Sequence, residues 1–275
     1  MMIALIKEMF SYPFMVRALI VGILVSVCAS LLGVSLVLKR YSMIGDGLSH
    51  VGFGALALAV ALNMSPLKVA IPIVIVAAFI LLRVTENSKI QGDAAIALIS
   101  TGALAVGVMI VSFTTGMNMD VYNYMFGSIL AMSTSDVTLS IVISMIVLVL
   151  YVFFYTKIFA VTFDETFAKA TGINTNGYHV LLAILTAVII VLGMRMMGAL
   201  LISSLIVFPA ITSMRVCHTF KSVIICSVII SIISFVTGIT MSYLYATPTG
   251  ASIVVVDIIL FILFQICGLI QKKNV

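Results

Sequence analysis

The chain has 275 residues, of which 63% are hydrophobic and only 8% are charged, and its mean hydropathy is +1.35. A typical soluble domain has about 25% charged residues, so the composition excludes a soluble globular fold and predicts a membrane protein. The formal net charge of +5 calls for no nucleic-acid partner, because basic loops beside anionic membrane lipid account for it.

Long, continuously apolar runs predict membrane-spanning helices, because the strands of membrane barrels alternate apolar and polar residues. A bilayer core about 30 Å thick requires roughly 20 apolar residues per helix. In chain order the predicted spans are about 14–38, 43–62, 66–83, 93–115, 136–156, 178–194, 197–214, 221–244 and 250–270. The sixth and seventh are separated only by residues 194–198 and are either two short spans or one bent element. We therefore expect one all-α domain over residues 1–275, a polytopic bundle with eight or nine crossings.

Lysine and arginine residues in the short loops predict the orientation of the chain. The loops that alternate along the chain on one side carry Lys39, Arg40, Arg83, Lys89, Lys157, Lys169, Arg215, Lys221, Lys272 and Lys273. The loops on the other side carry chiefly Lys68 and Arg195. The first set is expected to face the cytoplasm, in a multi-pass protein of a bacterial-type cytoplasmic membrane.

The second span carries a carboxylate and an imidazole, Asp46 and His50, four residues apart. Both are ligands for divalent transition metals, and positions i and i+4 share one face of a helix. Ser42, Gly45, Ser49 and Gly52 form a stripe of small residues beside them, which favours close contact with other helices. Two copies of the chain would supply four oxygen and nitrogen ligands. The alternative is that Asp46 caps the start of the helix while His50 bonds a neighbour.

The predicted cytoplasmic segment 162–177 has the pattern of a short helix. Thr162 and Glu165 are spaced as a capping box, and Gly172 suits a left-handed end of the helix. Phe163 and Phe167 are four residues apart, so we expect their rings to share one face. The segment either lies flat on the bilayer or docks into a groove on a cytoplasmic partner.

Other features of the sequence narrow the possible functions. No Gly-Lys dipeptide is present, so the chain contains no P-loop, and ATP hydrolysis would require a separate subunit; the chain itself is not expected to be an enzyme. Asp257, in the last span, is expected to face the bundle interior beside a Ser, Thr or Arg partner. His179 and His218, at span ends, are expected to pack at the interface.

Four stretches resemble the membrane permeases of ABC importers for zinc, manganese and iron. They are Leu38–His50 with its Gly-Asp-Gly-Leu-Ser-His core, Gly92–Ile96, Phe163–Gly172, and Met197–Ala210. They follow the family's order and extend over most of the chain.

The resemblance implies a homodimer in the membrane lipid, a dimer of cytoplasmic ATP-binding subunits, and an extracytoplasmic solute-binding protein that delivers the ion. It assigns the metal path to Asp46 and His50. It assigns ATPase coupling to Phe163, Asp164, Glu165, Phe167, Ala168 and Gly172. Zinc, slightly favoured, or manganese would be the transported substrate, with no permanently bound cofactor. A secondary metal carrier or channel without an ATPase is the alternative.

Overall fold

The computed structural model of the protein describes residues 8–87, 92–114 and 134–273. The regular structure within these ranges is entirely helical. The principal helices are α1 Pro13–Leu38, α2 Ser42–Ala61, α3 Pro66–Asn87, α4 Gly92–Thr114, α5 Thr134–Phe153, α6 Tyr155–Phe163, α7 Glu165–Ala170, α8 Thr175–Met197, α9 Ala199–Ser213, α10 Phe220–Tyr245 and α11 Thr249–Lys273. The predicted all-α bundle is confirmed. The side chains of Lys89, Asp93, Lys272 and Lys273 lie outside the described part of the chain.

Eight of the described helices are long and apolar enough to cross a membrane, and α9 is the short apolar exception. With 15 residues, α9 is about 22 Å long, less than the roughly 30 Å of a bilayer core. It is separated from α8 by Gly198, whose φ of 86° and ψ of 161° interrupt the helical path. The sixth and seventh predicted spans are therefore one full-length helix followed by one short helix.

Helix α2 lies inside the bundle because glycines let its neighbours approach closely. A Cβ atom added to Gly54 of α2 would lie 2.8 Å from the carbonyl oxygen of Ala103 in α4. Gly33 of α1 faces the backbone of Ile206 in α9 at even closer range. The first contact packs α2 against α4, and the second packs α1 against α9.

Several ends that the basic residues mark as cytoplasmic meet at one end of the bundle. Lys39, after α1, lies 3.7 Å from Glu165 of α7. The ring of Phe220, at the start of α10, packs 5.1 Å from that of Phe159 in α6. The backbone of Arg215, after α9, approaches Gly268 of α11. The assignment of this end to the cytoplasm remains a prediction from the positive-inside pattern.

Candidate functional site

Asp46 and His50 lie together on α2, with 3.6 Å between Asp46 Oδ2 and His50 Nε2. Helix α2 begins at Ser42 after the N-cap residue Tyr41, which makes no side-chain capping bond. Asp46 is therefore in the second turn of the helix and does not cap it, so the capping alternative is wrong. The two side chains are adjacent in the way that a pair of metal ligands on one helix requires.

The small residues next to the pair pack against α8 and α9. Ser49 is fully buried, and the Ser203 hydroxyl of α9 donates to it at 3.4 Å. A Cβ on Gly45 would lie 3.2 Å from Ile206 Cδ1, and one on Gly52 would lie 2.7 Å from Met194 Cε. The stripe of small residues therefore faces protein, and it holds the pair against the short helix α9.

The other side of the pair is open in the single chain. Asp46 exposes 51% of its side chain and His50 exposes 25%. Met43, three residues before Asp46 on the same helix, is also exposed, as is Leu200 near the start of α9. The described residues contain no group of three or more His, Cys, Asp or Glu side chains that could hold a metal ion. If the pair binds a metal ion, the described part of one chain therefore supplies two of its ligands.

The segment after α6 contains the short helix α7, with Asp164 as its N-cap. The Asp164 carboxylate accepts a 2.8 Å hydrogen bond from the backbone N–H of Phe167. The predicted capping box is wrong, because α6 continues through Phe163 and Thr162 is still inside it. The Thr162 hydroxyl donates back to the carbonyl of Ile158 at 2.7 Å. The chain first leaves helical geometry at Asp164, where φ is −144°.

The end of α7 has the geometry that the sequence indicates. Gly172 has a φ of 81°. Its N–H donates to the Lys169 carbonyl, and the N–H of Ile173 donates to the Ala168 carbonyl, each at 3.0 Å. This pair of bonds is a Schellman motif, so the left-handed end at Gly172 is confirmed. Ala168 is fully buried and anchors the helix to the bundle.

The two phenylalanines of the segment do not share the face of one helix. Phe163 ends α6, where its ring packs 5.0 Å from Phe159 and 5.7 Å from Phe220. Phe167 belongs to α7. Both remain on the surface, with exposed fractions of 58% and 62%. The break at Asp164 therefore gives two apolar projections from neighbouring helices.

Glu165 connects α7 to the ends of two spans. Its carboxylate lies 2.8 Å from Lys169 Nζ, 3.2 Å from His179 Nε2 and 3.7 Å from Lys39 Nζ. The hydrogen bond from Lys169 lowers the pKa of Glu165, and the charges at His179 and Lys39 act in the same direction. His179, expected only to pack, is buried within this cluster. Sequence pattern misses the contact because His179 and Lys39 are 140 residues apart.

Two further acidic residues lie within described helices, Asp257 on α11 and Asp136 on α5. Asp257 is 1% exposed, so it faces the interior as expected. Among the described residues neither of its carboxylate oxygens has a hydrogen-bond partner, although the Ser234 hydroxyl is near. Asp136, at the start of α5, forms a 2.9 Å ion pair with Arg195 near the end of α8. The sequence did not predict this pair, which ties α5 to the end of α8 that precedes Gly198.

Residues 11–268 match the ABC 3 transport family. The chain is 30% identical over 246 residues to the high-affinity zinc uptake system membrane protein ZnuB of Haemophilus influenzae, covering 90% of this chain and 94% of ZnuB. It is 28% identical over 256 residues to the manganese transport system membrane protein MntC of Halalkalibacterium halodurans, covering 93% and 88%.

The fold agrees with these similarities. The solved structure of PsaBC from Streptococcus pneumoniae in complex with Fab contains a chain that matches with a TM-score of 0.86 and 29% identity, over 96% of this chain and 95% of that chain. The family match and the apolar helices identify a multi-pass protein of the bacterial cytoplasmic membrane. The chain belongs to the ABC 3 transport family of membrane permeases.

Proposed function

We propose that this chain is the permease of an ABC importer that carries a divalent transition metal, zinc or manganese, into the cytoplasm. The observation that carries the proposal is the pair Asp46 and His50, 3.6 Å apart on a membrane helix. Ionisable side chains in such helices are costly and mark substrate or ion pathways. The relatives named for zinc and for manganese support this substrate class and leave both metals as candidates.

The metal path forms between two copies of the chain. Each copy contributes Asp46 and His50 from its open side, and a two-fold axis brings two carboxylates and two imidazoles together. Four such ligands suit tetrahedral zinc, and with added water they suit octahedral manganese. The ion is the transported substrate at this site, so the ligands bind it weakly enough to release it.

Energy comes from a separate pair of ATP-binding subunits that contact segment 162–177. Phe163 and Phe167 are large, exposed and apolar, as expected of side chains that insert into a groove on a partner. Closure of the ATPases on ATP binding moves the segment and, through it, the spans. An extracytoplasmic binding protein delivers the metal from the other side.

Metal-resolved uptake into vesicles tests this function. The vesicles contain the native chain, its ATP-binding subunit and its binding protein, with zinc and manganese offered together. We expect ATP-dependent accumulation of one metal and competition by the other. A secondary carrier or channel is the alternative function, and uptake that is independent of ATP, by a chain that does not co-purify with an ATPase, would establish it instead.

A further inference from the structure

Three elements of the bundle meet at a cluster formed by Lys39, Glu165 and His179. Lys39 follows α1, Glu165 is the first residue of α7, and His179 lies in the first turns of α8. The side chains of Lys39 and His179 are only 10% and 4% exposed. The cluster thus joins segment 162–177, which we call the docking segment, to the interior of the helical bundle.

The imidazole of His179 lies between the other two groups of the cluster. Lys39 Nζ is 3.0 Å from both ring nitrogens of His179, Nδ1 and Nε2, and a lysine ammonium can only donate. His179 Nε2 is also 3.2 Å from Glu165 Oε2, and a carboxylate can only accept. The imidazole therefore connects the ammonium to the carboxylate.

The ends of α7 and its first residue also have local partners that do not belong to this link. Glu165 already has a partner on its own helix, Lys169, at 2.8 Å, and Asp164 and Gly172 satisfy the two ends of α7. The bonds to Lys39 and His179 therefore add a connection between elements to a helix that is complete without it.

Two paths, one along the chain and one through helix packing, lead from the cluster to α2, the helix that carries Asp46 and His50. Lys39 belongs to the turn that enters α2, where Arg40 has a φ of 62° and the N–H of Tyr41 donates to the Leu36 carbonyl at 2.8 Å. Asp46 lies about one helical turn beyond Ser42, where α2 begins. The second path is α8, which carries His179 at one end and, at the other, Met194 in contact with Gly52 of α2.

A cavity beside the turn leaves room for movement. It has a volume of about 20 Å³, enough for about one water molecule. Lys39, Tyr41, Ile44, His179 and Thr186 are among its lining residues. The buried Thr186 hydroxyl has no hydrogen-bond partner among the described residues. A turn that borders a cavity can shift with less compression of its neighbours than a turn in a close-packed interior.

We propose that the Lys39, Glu165 and His179 cluster transmits displacement of the docking segment to helix α2 and so to Asp46 and His50. This inference rests on the proposed function. Lys39 and His179 act as positioning residues: their role is to fix the turn and α8 relative to α7, without contacting the metal or the ATPase. Loss of the link is expected to leave the metal path and the ATP-binding subunits intact but to uncouple transport from ATP hydrolysis.

The test compares Lys39→Met with Lys221→Met in proteoliposomes that contain the complete importer. Both variants remove a lysine at the same end of the bundle, but Lys221 is exposed at the start of α10 and lies outside segment 162–177 and outside the cluster, so Lys221→Met is the matched control. Metal uptake and ATP hydrolysis are measured per assembled complex, with zinc and manganese as the probes. We expect Lys39→Met to lower the metal moved per ATP hydrolysed by at least about fivefold. The control is expected to change it by less than about twofold.

The double variant Lys39→Met with Glu165→Gln is expected to lose no more coupling than Lys39→Met alone, because both changes break one link. The inference would be overturned if the losses of coupling in the two single variants add up in the double variant. It would also be overturned if Lys39→Met moves as much metal per ATP hydrolysed as the control does. If Lys39→Met does not assemble, Glu165→Gln on the exposed helix decides the question by the same comparison. If the native complex shows no ATP-dependent uptake, the proposed function itself is overturned. If the native complex transports metal and Lys39→Met transports it equally well, only the inference is overturned.

Discussion

The exposed carboxylate of Asp46 is costly for an isolated chain in a membrane. Half of its side chain is uncovered, and a charged side chain that faces hydrocarbon within a membrane helix is energetically unfavourable. Met43 on the same helix and Leu200 near the start of α9 are apolar and also exposed. A surface that combines a carboxylate, an imidazole and apolar side chains is better suited to protein or to a bound cation than to lipid.

Replacement of His50 by alanine is expected to abolish transport without preventing assembly. The change removes one of two ligands per chain. Since altering only the groups that orient a ligand costs about 10–100-fold in metal affinity, we expect at least about a tenfold loss of uptake per complex. The measurement is initial uptake of zinc and of manganese. His218→Ala, at an exposed histidine outside the spans, is the control and should transport normally. Native uptake by His50→Ala would refute the site.

The carboxylate of Glu165 gives the docking segment a specific dependence on pH. Its hydrogen bond from Lys169, helped by His179 and Lys39, lowers its pKa from the usual 4.5. The stabilisation is therefore complete above 4.5 and is lost as the pH falls through the lower folded-state pKa. We expect the native chain to have a higher Tm than Glu165→Gln at neutral pH, with a gap that narrows below pH 4.5.

The gap is expected to be small, because 39% of the Glu165 side chain is exposed to solvent and its ion pairs are screened. Lys169→Met provides the control, because removing the main hydrogen-bond donor to Glu165 should raise the pH at which the Tm difference narrows. A Tm difference that stays constant on acidification would show that these partners do not stabilise the ionised form.

Local spacing could predict some of these residues but not others. The pair Asp46 and His50 could be read from the sequence, because one helical turn determines its geometry. The Lys39, Glu165 and His179 cluster could not, because its members come together only when separate helices pack. For Asp257 the interior position followed from its apolar surroundings, whereas the missing partner depends on the positions of side chains on other helices.

Among the elements, α6 and α7 show how one residue decides a boundary. Thr162, Asp164 and Glu165 all belong to types that favour helix starts. The sequence pattern favoured Thr162, but the hydroxyl of a helical threonine can bond the carbonyl four residues earlier, and here it does. Asp164 therefore became the cap, and the single predicted helix is two.

Substitution of Asp164 by alanine should weaken α7, whereas Thr162→Ala should not. Loss of the bond from the Asp164 carboxylate to the Phe167 N–H costs about 0.5–2 kcal/mol. Thr162→Ala, inside α6, should stay within about 0.5 kcal/mol. Hydrogen exchange of the backbone of residues 165–170 in the native assembly measures the difference. Faster exchange in Thr162→Ala than in Asp164→Ala would mean that the capping box exists in solution.

The spans themselves were predictable to within a few residues, because lipid imposes both their length and their apolar composition. Helix α1, expected at about 14–38, occupies Pro13–Leu38. The exception is α9, where the apolar run alone could not show that Gly198 takes a left-handed φ and leaves only 15 residues. That short helix is the one that packs against α2 next to Asp46 and His50, where the Ser203 hydroxyl donates to Ser49.

For the molecule as a whole, the distribution of exposed surface predicts where a second copy of the chain would bind. Helix α11 is apolar and largely exposed, as expected of a helix that faces lipid. Helices α2 and α9 instead expose a mixed surface with Asp46, His50, Ser203 and Leu200. We expect a two-fold axis next to this mixed surface, because it would cover the carboxylate and complete a four-ligand site. The outward side of α11 would then face lipid.

Spin labels can locate this axis. A label at Leu200→Cys lies on the mixed surface, and one at Leu269→Cys lies on α11, where Leu269 is 60% exposed. Both are introduced after replacement of the four native cysteines, Cys28, Cys217, Cys226 and Cys267. In a symmetric dimer through α2 and α9, the label-to-label distance between copies is short for Leu200→Cys and much longer for Leu269→Cys. The reverse order of distances would place the axis at α11, leave Asp46 in lipid and rule out a metal site shared between copies. A sample without inter-copy distances would mean a monomer, which holds only two ligands.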